Sequence, residues 1–380
     1  MRRTVSVGTV VREWARLGAL SFGGPPAQVA LLRELTVERR RWIDAREFED
    51  ANAATQLIPG PGSTQLAIYC AQRVGGTAAA IAGGVAFILP GLLIILAISA
   101  VALGESPPTW IEGVGAGAAA AVVAVVLGVG LDFARASLAG REGAARVRSL
   151  LYLAVGGAAA IAAGPGLVIA LLACGLVELT WRRRSGAALH AWPVALVLFG
   201  ATGAAAIPAL AWTAFKVGAL SYGGGFVIIP LMQGDAVDTY GWMTRGEFAD
   251  AVAFGQLTPG PVVQTVAMVG WAAAGLPGAL LASVVAFAPS FLVIALTGER
   301  FERLRGSGAA RAFLDGAGPA AAGAILGVAV PLFGALEEGW QYAVLGGAAL
   351  LVVARRPAIW ALAGGASAGL VAALAGLAVP

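Results

Sequence analysis

Gly18-Ala19-Leu20-Ser21-Phe22-Gly23-Gly24 is written a second time, 200 residues further on, as Gly218-Ala219-Leu220-Ser221-Tyr222-Gly223-Gly224. The same offset carries Trp42 onto Trp242, Glu47-Phe48 onto Glu247-Phe248, and Asp50-Ala51 onto Asp250-Ala251. It also carries Gln56-Leu57 and Pro59-Gly60-Pro61 onto Gln256-Leu257 and Pro259-Gly260-Pro261. A gapless match from residue 17 to residue 61, built on Gly, Pro, Trp and acidic residues, marks a duplicated unit.

Composition sets the solvent. Of 380 residues, 59% are hydrophobic and 12% charged, against roughly 25% charged in soluble domains. Uncharged runs at residues 77–103, 113–131, 277–298 and 316–336 reach or approach the roughly 20 residues a helix needs to cross about 30 Å of hydrocarbon. An integral membrane protein in contact with the lipid bilayer follows. The net charge of +4 comes from Arg at the ends of apolar runs, as membrane topology requires, and does not indicate a nucleic-acid partner. Cys70 and Cys174 form no disulfide or metal framework. Arg12, Glu13 and Arg16 interrupt any signal-peptide core, so the N-terminal segment is expected to be retained.

In chain order, residues 5–32 are broken at Ser21 to Pro26 and predict two half-helices; a full span there would change only the helix count. Asp44 with Glu47, and Thr244 with Glu247, read as helix starts of the capping-box kind. Pro59-Gly60-Pro61-Gly62 opens a new helix too short to span before Cys70. Residues 150–163 and 166–179 are shorter crossing helices. The Arg clusters 39–41, 135–148 and 182–184 read as cytoplasmic, as do Arg300 to Arg311 and Arg355-Arg356, whereas 233–250 and Glu337-Glu338 read as external.

Repeat partners therefore fall on opposite sides of the membrane. The predicted fold is an all-α polytopic membrane protein with two inverted-topology repeats, each with broken and re-entrant helices. The divisions are residues 1–186, a linker transmembrane helix at 187–206, and residues 207–380. Such a plan recurs in secondary transporters that hold substrate near the midplane.

Backbone breaks at membrane depth are tolerated only inside protein or along a watery cavity, and helix N-termini there favour anions. The candidate substrate-binding set is Ser21, Phe22, Gly23, Gly24, Gln56, Gly60, Gly62, Ser63 and Thr64, with Ser221, Tyr222, Gly223, Gly224, Gln256, Gly260, Gln264 and Thr265 in the second half. Gln65 adds a further amide. Arg16 and Lys216 hold equivalent positions, and a cation in a membrane segment costs about 2.5 to 3.5 kcal/mol unless it faces a cavity or a partner. The competing reading for Arg16 is that it snorkels to the interface or pairs with Glu13. Asp50 and Asp250 are candidates for proton coupling or simply face water; Trp42 and Trp242 read as interface anchors. No metal or catalytic constellation stands out, and no cofactor is called for.

These motifs resemble the chromate ion transporter family in its long, two-domain form. The residues carrying the resemblance are Ser21-Phe22-Gly23-Gly24-Pro25, Glu38-Arg39-Arg40-Arg41-Trp42, Gln56-Leu57-Ile58-Pro59-Gly60-Pro61 and Leu89-Pro90-Gly91. In the second half they are Lys216-Val217-Gly218, Gly223-Gly224-Gly225, Gly241-Trp242, Gln256-Leu257-Thr258-Pro259-Gly260-Pro261 and Ala288-Pro289-Ser290. The resemblance implies a multi-pass protein of the bacterial inner membrane that exports chromate, with sulfate as a competing oxyanion. Uptake or exchange of sulfate or another oxyanion is the alternative, and a homodimer is left open. A membrane reductase would need a haem-ligating histidine pair, a dinucleotide fingerprint or a cysteine cluster, and the sequence has none.

Overall fold

A computed structural model describes residues 5–55, 60–162, 166–183, 206–221, 226–297 and 308–379. All regular structure among them is helical. The expected linker helix lies almost wholly outside the described residues, as do Gln56, Tyr222, Gly223 and Gly224.

The first half opens with α1 (Val7–Leu20), capped by Ser6, whose hydroxyl accepts from the Thr9 amide. It stops where expected. Gly23 and Gly24 adopt φ of 95° and 77°, a region closed to most side chains, and two prolines then start α2 (Pro25–Arg33). A π-helical turn, Glu34–Arg39, leads through a charged loop into α3 (Ala45–Thr55). Helix α4 (Gly62–Ala102) bends at Gly76, with φ 78° and ψ −170°, which separates a short inward piece, 62–75, from a long straight segment. Then follow α5 (Thr109–Leu138), α6 (Gly143–Ala162) and α7 (Leu167–Arg183).

The second half repeats this order as α8 (Ala206–Leu220), α9 (Ile228–Gln233), a π-helical turn Gly234–Thr239 and α10 (Arg245–Leu257). A 3-10 turn, Val262–Gln264, precedes α11 (Thr265–Thr297), bent at Gly275. Last come α12 (Gly308–Phe333), α13 (Gly339–Val353) and α14 (Ala358–Leu374). The two π-helical turns stand 200 residues apart, and the amides of Arg40 and Tyr240 bond the carbonyls of Leu35 and Asp235 identically. The second corner is one residue shorter. Gly275 answers Gly76, and Gln264 answers Gln65.

Five helices among the described residues are long and apolar enough to cross a membrane: Gly62–Ala102, Thr109–Leu138, Gly143–Ala162, Val262–Leu296 and Arg311–Phe333. They include all four long runs of the sequence. Helices α6 and α7 account for the two shorter ones.

The halves are interleaved rather than set side by side. Helix α5 packs on α13 and α14 of the second half, while α12 packs on α6 and α7 of the first. Small residues make this approach feasible, since lipid offers no hydrophobic drive and close backbone packing must supply the cohesion. A Cβ at Gly117 would overlap the Gly365 carbonyl, and one at Gly369 would overlap that of Gly113. At the other interface, Gly156 meets the Ala320 carbonyl and Gly323 that of Leu153 in the same way. Arg141 and Arg182 both reach Asp315, at 2.9 and 2.6 Å, which ties the end of α5 and of α7 to the start of α12.

Gly369→Val is expected to lose about 1 to 3 kcal/mol through overpacking, read as a lower midpoint in thermal unfolding of the purified protein. Gly364→Val, on the same helix with nothing within 4 Å of its Cβ position, should unfold like the parent. Equal behaviour of the two would mean that the α5–α14 contact does not hold the halves together.

Candidate substrate cavity

A cavity of about 620 Å³ brings together three of the interruptions singled out in the sequence. Gly23 and Pro25 come from the α1–α2 break, Pro61, Gly62 and Ser63 from the first proline-glycine corner, and Pro261, Val262 and Val263 from the second. Asn52 of α3, Asp132 and Phe133 near the end of α5, and Phe226 complete much of its wall.

The second corner is held by the first half of the chain. Gln28 Nε2 donates to the Gly260 carbonyl at 2.6 Å, and the Gly260 amide donates to the Ser21 carbonyl at 3.2 Å. Gln264 Nε2 donates to the Ile88 carbonyl at 2.6 Å, one turn from Gly91, where a Cβ would overlap the Pro259 carbonyl. At the first corner the approach is, among the described residues, contact without a hydrogen bond: a Cβ at Gly60 would lie 3.5 Å from Ser290 Oγ. Ser290 follows Pro289 just as Gly91 follows Pro90. Gly91 is roughly the middle of the straight segment 77–102, so the second corner sits at mid-length of a spanning helix.

Positive potential in the cavity comes from helix ends. The first amides of a helix lack partners within it, and α4 therefore offers those of Gly62, Ser63 and Thr64. The 3-10 turn offers Val262 and Val263. Helix α2 offers less than the sequence suggests, because Pro25 and Pro26 carry no N–H; it contributes its dipole but few hydrogen bonds. The Oδ1 of Asn52 and the hydroxyls of Thr64 and Ser290 are buried without a partner. Such groups are costly unless something polar satisfies them.

Of the expected site residues, Gly23, Gly62 and Ser63 line the cavity directly, and Gly60, Thr64, Gly260 and Gln264 form the packing behind it. Ser21 and Thr265 turn their hydroxyls to carbonyls of their own segments, Gly18 and Val262. Phe22 is exposed; Ser221 and Gln256 are buried. Asn52, Phe226, Gln28 and Ser290 were not anticipated. Asn52 lies two residues beyond Asp50, and Ser290 stands in the quoted Ala288-Pro289-Ser290, a signal that was available.

Neither expected cation lines this cavity. Lys216 Nζ lies 2.5 Å from Asp235 Oδ2, and Thr213 Oγ1 donates to the same oxygen at 2.6 Å, all three residues buried. Asp235, nineteen residues away in sequence, is the partner that a local reading missed. Arg16 is exposed and lines a separate pocket with Arg12, Glu13, Arg39 and Arg40. Glu13 pairs with Arg39 and Arg40, not with Arg16. Thr244 and Glu247 form the complete capping box, whereas Glu47 reaches Arg73 at 2.5 Å. Trp42 stacks on the buried Trp14 at 6.4 Å. Asp250 lies against Gly115 of α5, whose Cβ position is 2.8 Å from the carboxyl carbon.

A profile of the family described as Chromate transporter matches residues 8–179 and again residues 208–370. The chain belongs to the chromate transporter family. Each half is matched once, which places the family's unit on the duplication read from the sequence. The chromate transport protein of Cupriavidus metallidurans is 31% identical over 338 residues, 87% of this chain and 83% of that one. That of Pseudomonas aeruginosa is 31% identical over 334 residues, 82% and 78% of the two chains. An uncharacterized transporter of Bacillus subtilis is 33% identical over 157 residues, 40% of this chain but 78% of its own. No solved structure matches. This chromate transporter family member is a multi-pass membrane protein, a transporter rather than an enzyme, and the family implies an oxyanion substrate.

Asp235→Asn is expected to cost about 3 to 5 kcal/mol by leaving Lys216 buried and unpaired. Asp235→Leu combined with Lys216→Met should recover most of it in thermal unfolding. If that double variant also transports, the pair is structural; folded protein without flux would give the pair a role in transport itself.

Proposed function

We propose that this protein exports a chromate-like dianion across the bacterial inner membrane by alternating access between two inverted halves. The observation that carries the proposal is the meeting of both proline-glycine corners on one cavity, the second of them clasped by the first half at mid-length of a long helix. Inversion agrees with the contacts: Asp315, Arg141 and Arg182 gather at one end, while Asp250 approaches α5 near its opposite end, at Gly115. A cytoplasm negative by 100 mV drives a dianion outward with about 4.6 kcal/mol, twice roughly 2.3 per charge. Potential alone can therefore power export.

An asymmetry between the repeats supports an exchange of states. Glu112-Gly113-Val114-Gly115 in α5 corresponds to Asp315-Gly316-Ala317-Gly318 in α12. Gly115 is covered by Asp250 of α10, whereas nothing lies within 4 Å of the Cβ position of Gly318. On this reading α3 stands away from α12, and the cavity opens past Asn52, Asp132 and Ala358, at the Arg-rich cytoplasmic end. The outward state would reverse the arrangement, seating Asp50 on Gly318 and releasing Asp250. Asp250 would then move between a dry seat and water, the condition for binding and losing a proton.

Labelled chromate and sulfate flux in sealed vesicles of defined orientation and imposed potential tests the function. The expected result is chromate efflux that grows with interior-negative potential. Sulfate uptake indifferent to chromate would replace the proposal with an uptake system. Gly318→Leu, at an open position, should leave the fold intact, lower flux at least about tenfold and keep Asn52→Cys reactive from the cytoplasmic side. Parental flux in Gly318→Leu would refute the docking exchange while leaving export itself standing.

A further inference from the structure

The second pocket, about 500 Å³, is lined by Arg12, Glu13, Arg16, Arg39 and Arg40. Its charge does not balance. Glu13 is buried, with 5% of its surface exposed, and its two oxygens are both engaged, one by Arg39 at 3.0 Å and one by Arg40. Arg12 and Arg16 stand four residues apart on α1, on neighbouring turns of one face, where like charges repel. Neither forms an ion pair among the described residues, although Arg12 also lies in the field of Glu13. Four guanidinium groups thus share one carboxylate, a surplus of three positive charges in one concavity.

The duplication shows that the fold does not require this. At the corresponding places the second half has Trp212, Thr213, Lys216, Thr239 and Tyr240. There one cation, Lys216, meets one anion, Asp235. The first half has replaced a neutral arrangement with an electropositive one at the end of the molecule where the cytoplasmic Arg clusters lie. A surplus of that size needs an anion, and planar forks in such number suit a phosphate that can be gripped from several sides.

The surroundings say where the anion comes from. Val7, Val11 and Leu20 are exposed on the same helix, and Phe22 just beyond it. In a membrane protein that surface meets hydrocarbon. The pocket is therefore flanked by apolar surface, Val7 and Val11 on one side of the Arg12 and Arg16 face and Leu20 on the other, that can take an acyl chain, and Arg side chains can lay their methylene stems along such a surface while the guanidinium stays at the headgroup level.

We propose that the arginine pocket of α1 seats the phosphate of an anionic phospholipid headgroup. The lipid completes the charge of the first half as Asp235 completes that of the second, and holds α1 against the loop carrying Arg39 and Arg40. The site is separate from the transport cavity and does not depend on what the cavity carries.

The test measures lipid retention by native mass spectrometry. Full-length protein is reconstituted in phosphatidylcholine discs doped with phosphatidylglycerol and then released into detergent. The parent is expected to keep a phosphatidylglycerol adduct. Arg12→Gln with Arg16→Gln should lower retention at least about tenfold, given roughly 1 kcal/mol per basic residue at a membrane surface. Arg355→Gln with Arg356→Gln, at an exposed cytoplasmic-end turn outside the pocket, should retain it. Should the Gln pair misfold, Arg12→Lys with Arg16→Lys keeps the charge while removing the fork, and retention is expected to fall only partly. Unchanged retention in the Gln pair would overturn the proposal. So would displacement of the adduct by inorganic phosphate or sulfate, which would make the pocket a soluble-oxyanion site. Because retention is read without transport, a failure of chromate export would leave this result unaffected.

Discussion

The structure depends on one constraint: a backbone group at membrane depth must find a partner inside the protein, because hydrocarbon offers none. A helix that breaks midway exposes several such groups at once. Here the breaks come in related copies, and the first half supplies partners that the second half's interruption lacks. Gln28 and Ser21 of the first half hold Gly260 of the second; Gln264 of the second holds Ile88 of the first. The corner of the second repeat thus draws its hydrogen bonds from the first. The interleaving of α5 with α13 and α14, and of α12 with α6 and α7, extends the same dependence to the spanning helices, and Gly113, Gly117, Gly365 and Gly369 let the backbones approach closely enough for it.

Duplication also separates what the fold needs from what one face of the membrane needs. Features kept at both copies, such as the π-helical turns and the positive-φ glycines Gly60 and Gly260, serve the common architecture. Features present once answer local conditions. Arg16 and Lys216 occupy equivalent positions, yet Lys216 is buried beside Asp235 while Arg16 opens onto an arginine pocket. Their equivalence is positional and does not extend to their surroundings.

Much of this was legible in the sequence. The broken first helix follows from Ser21 to Pro26 directly, since consecutive glycines and prolines leave a helix no way through, and the spans follow from charge-free length. The cavity's three proline-glycine segments were visible too, because breaks at depth must face inward. Partners distant in sequence were not. Asp235 lies outside the helix that bears Lys216, and Asn52 reaches the cavity only because α3 folds back beside the corner at Gly62. The π-helical turns carry no compositional mark, as Glu34–Arg39 and Gly234–Thr239 share little beyond position. The one-residue shortening before Gln264 shows up only when Gly76 is matched to Gly275.

A cavity walled by helix ends, with no Lys or Arg among the described side chains that line it, would on the proposed function suit passage better than storage. Each helix terminus acts as about half a positive charge, and Asp132 also lines the cavity, so the three here would not cancel the charge of the proposed dianion. Full neutralisation by buried arginines would add charge-assisted hydrogen bonds that the ion must break to leave, and a site that must release what it binds gains from being weak. Dipoles fixed in the backbone also cost no unpaired cation when the cavity is empty, whereas a bare guanidinium at that depth would cost several kcal/mol on each return. Lys216 accordingly lies elsewhere, paired with Asp235 in the interior, and on the proposed alternating-access mechanism the empty carrier would turn without dragging a bare cation of this cavity through the lipid.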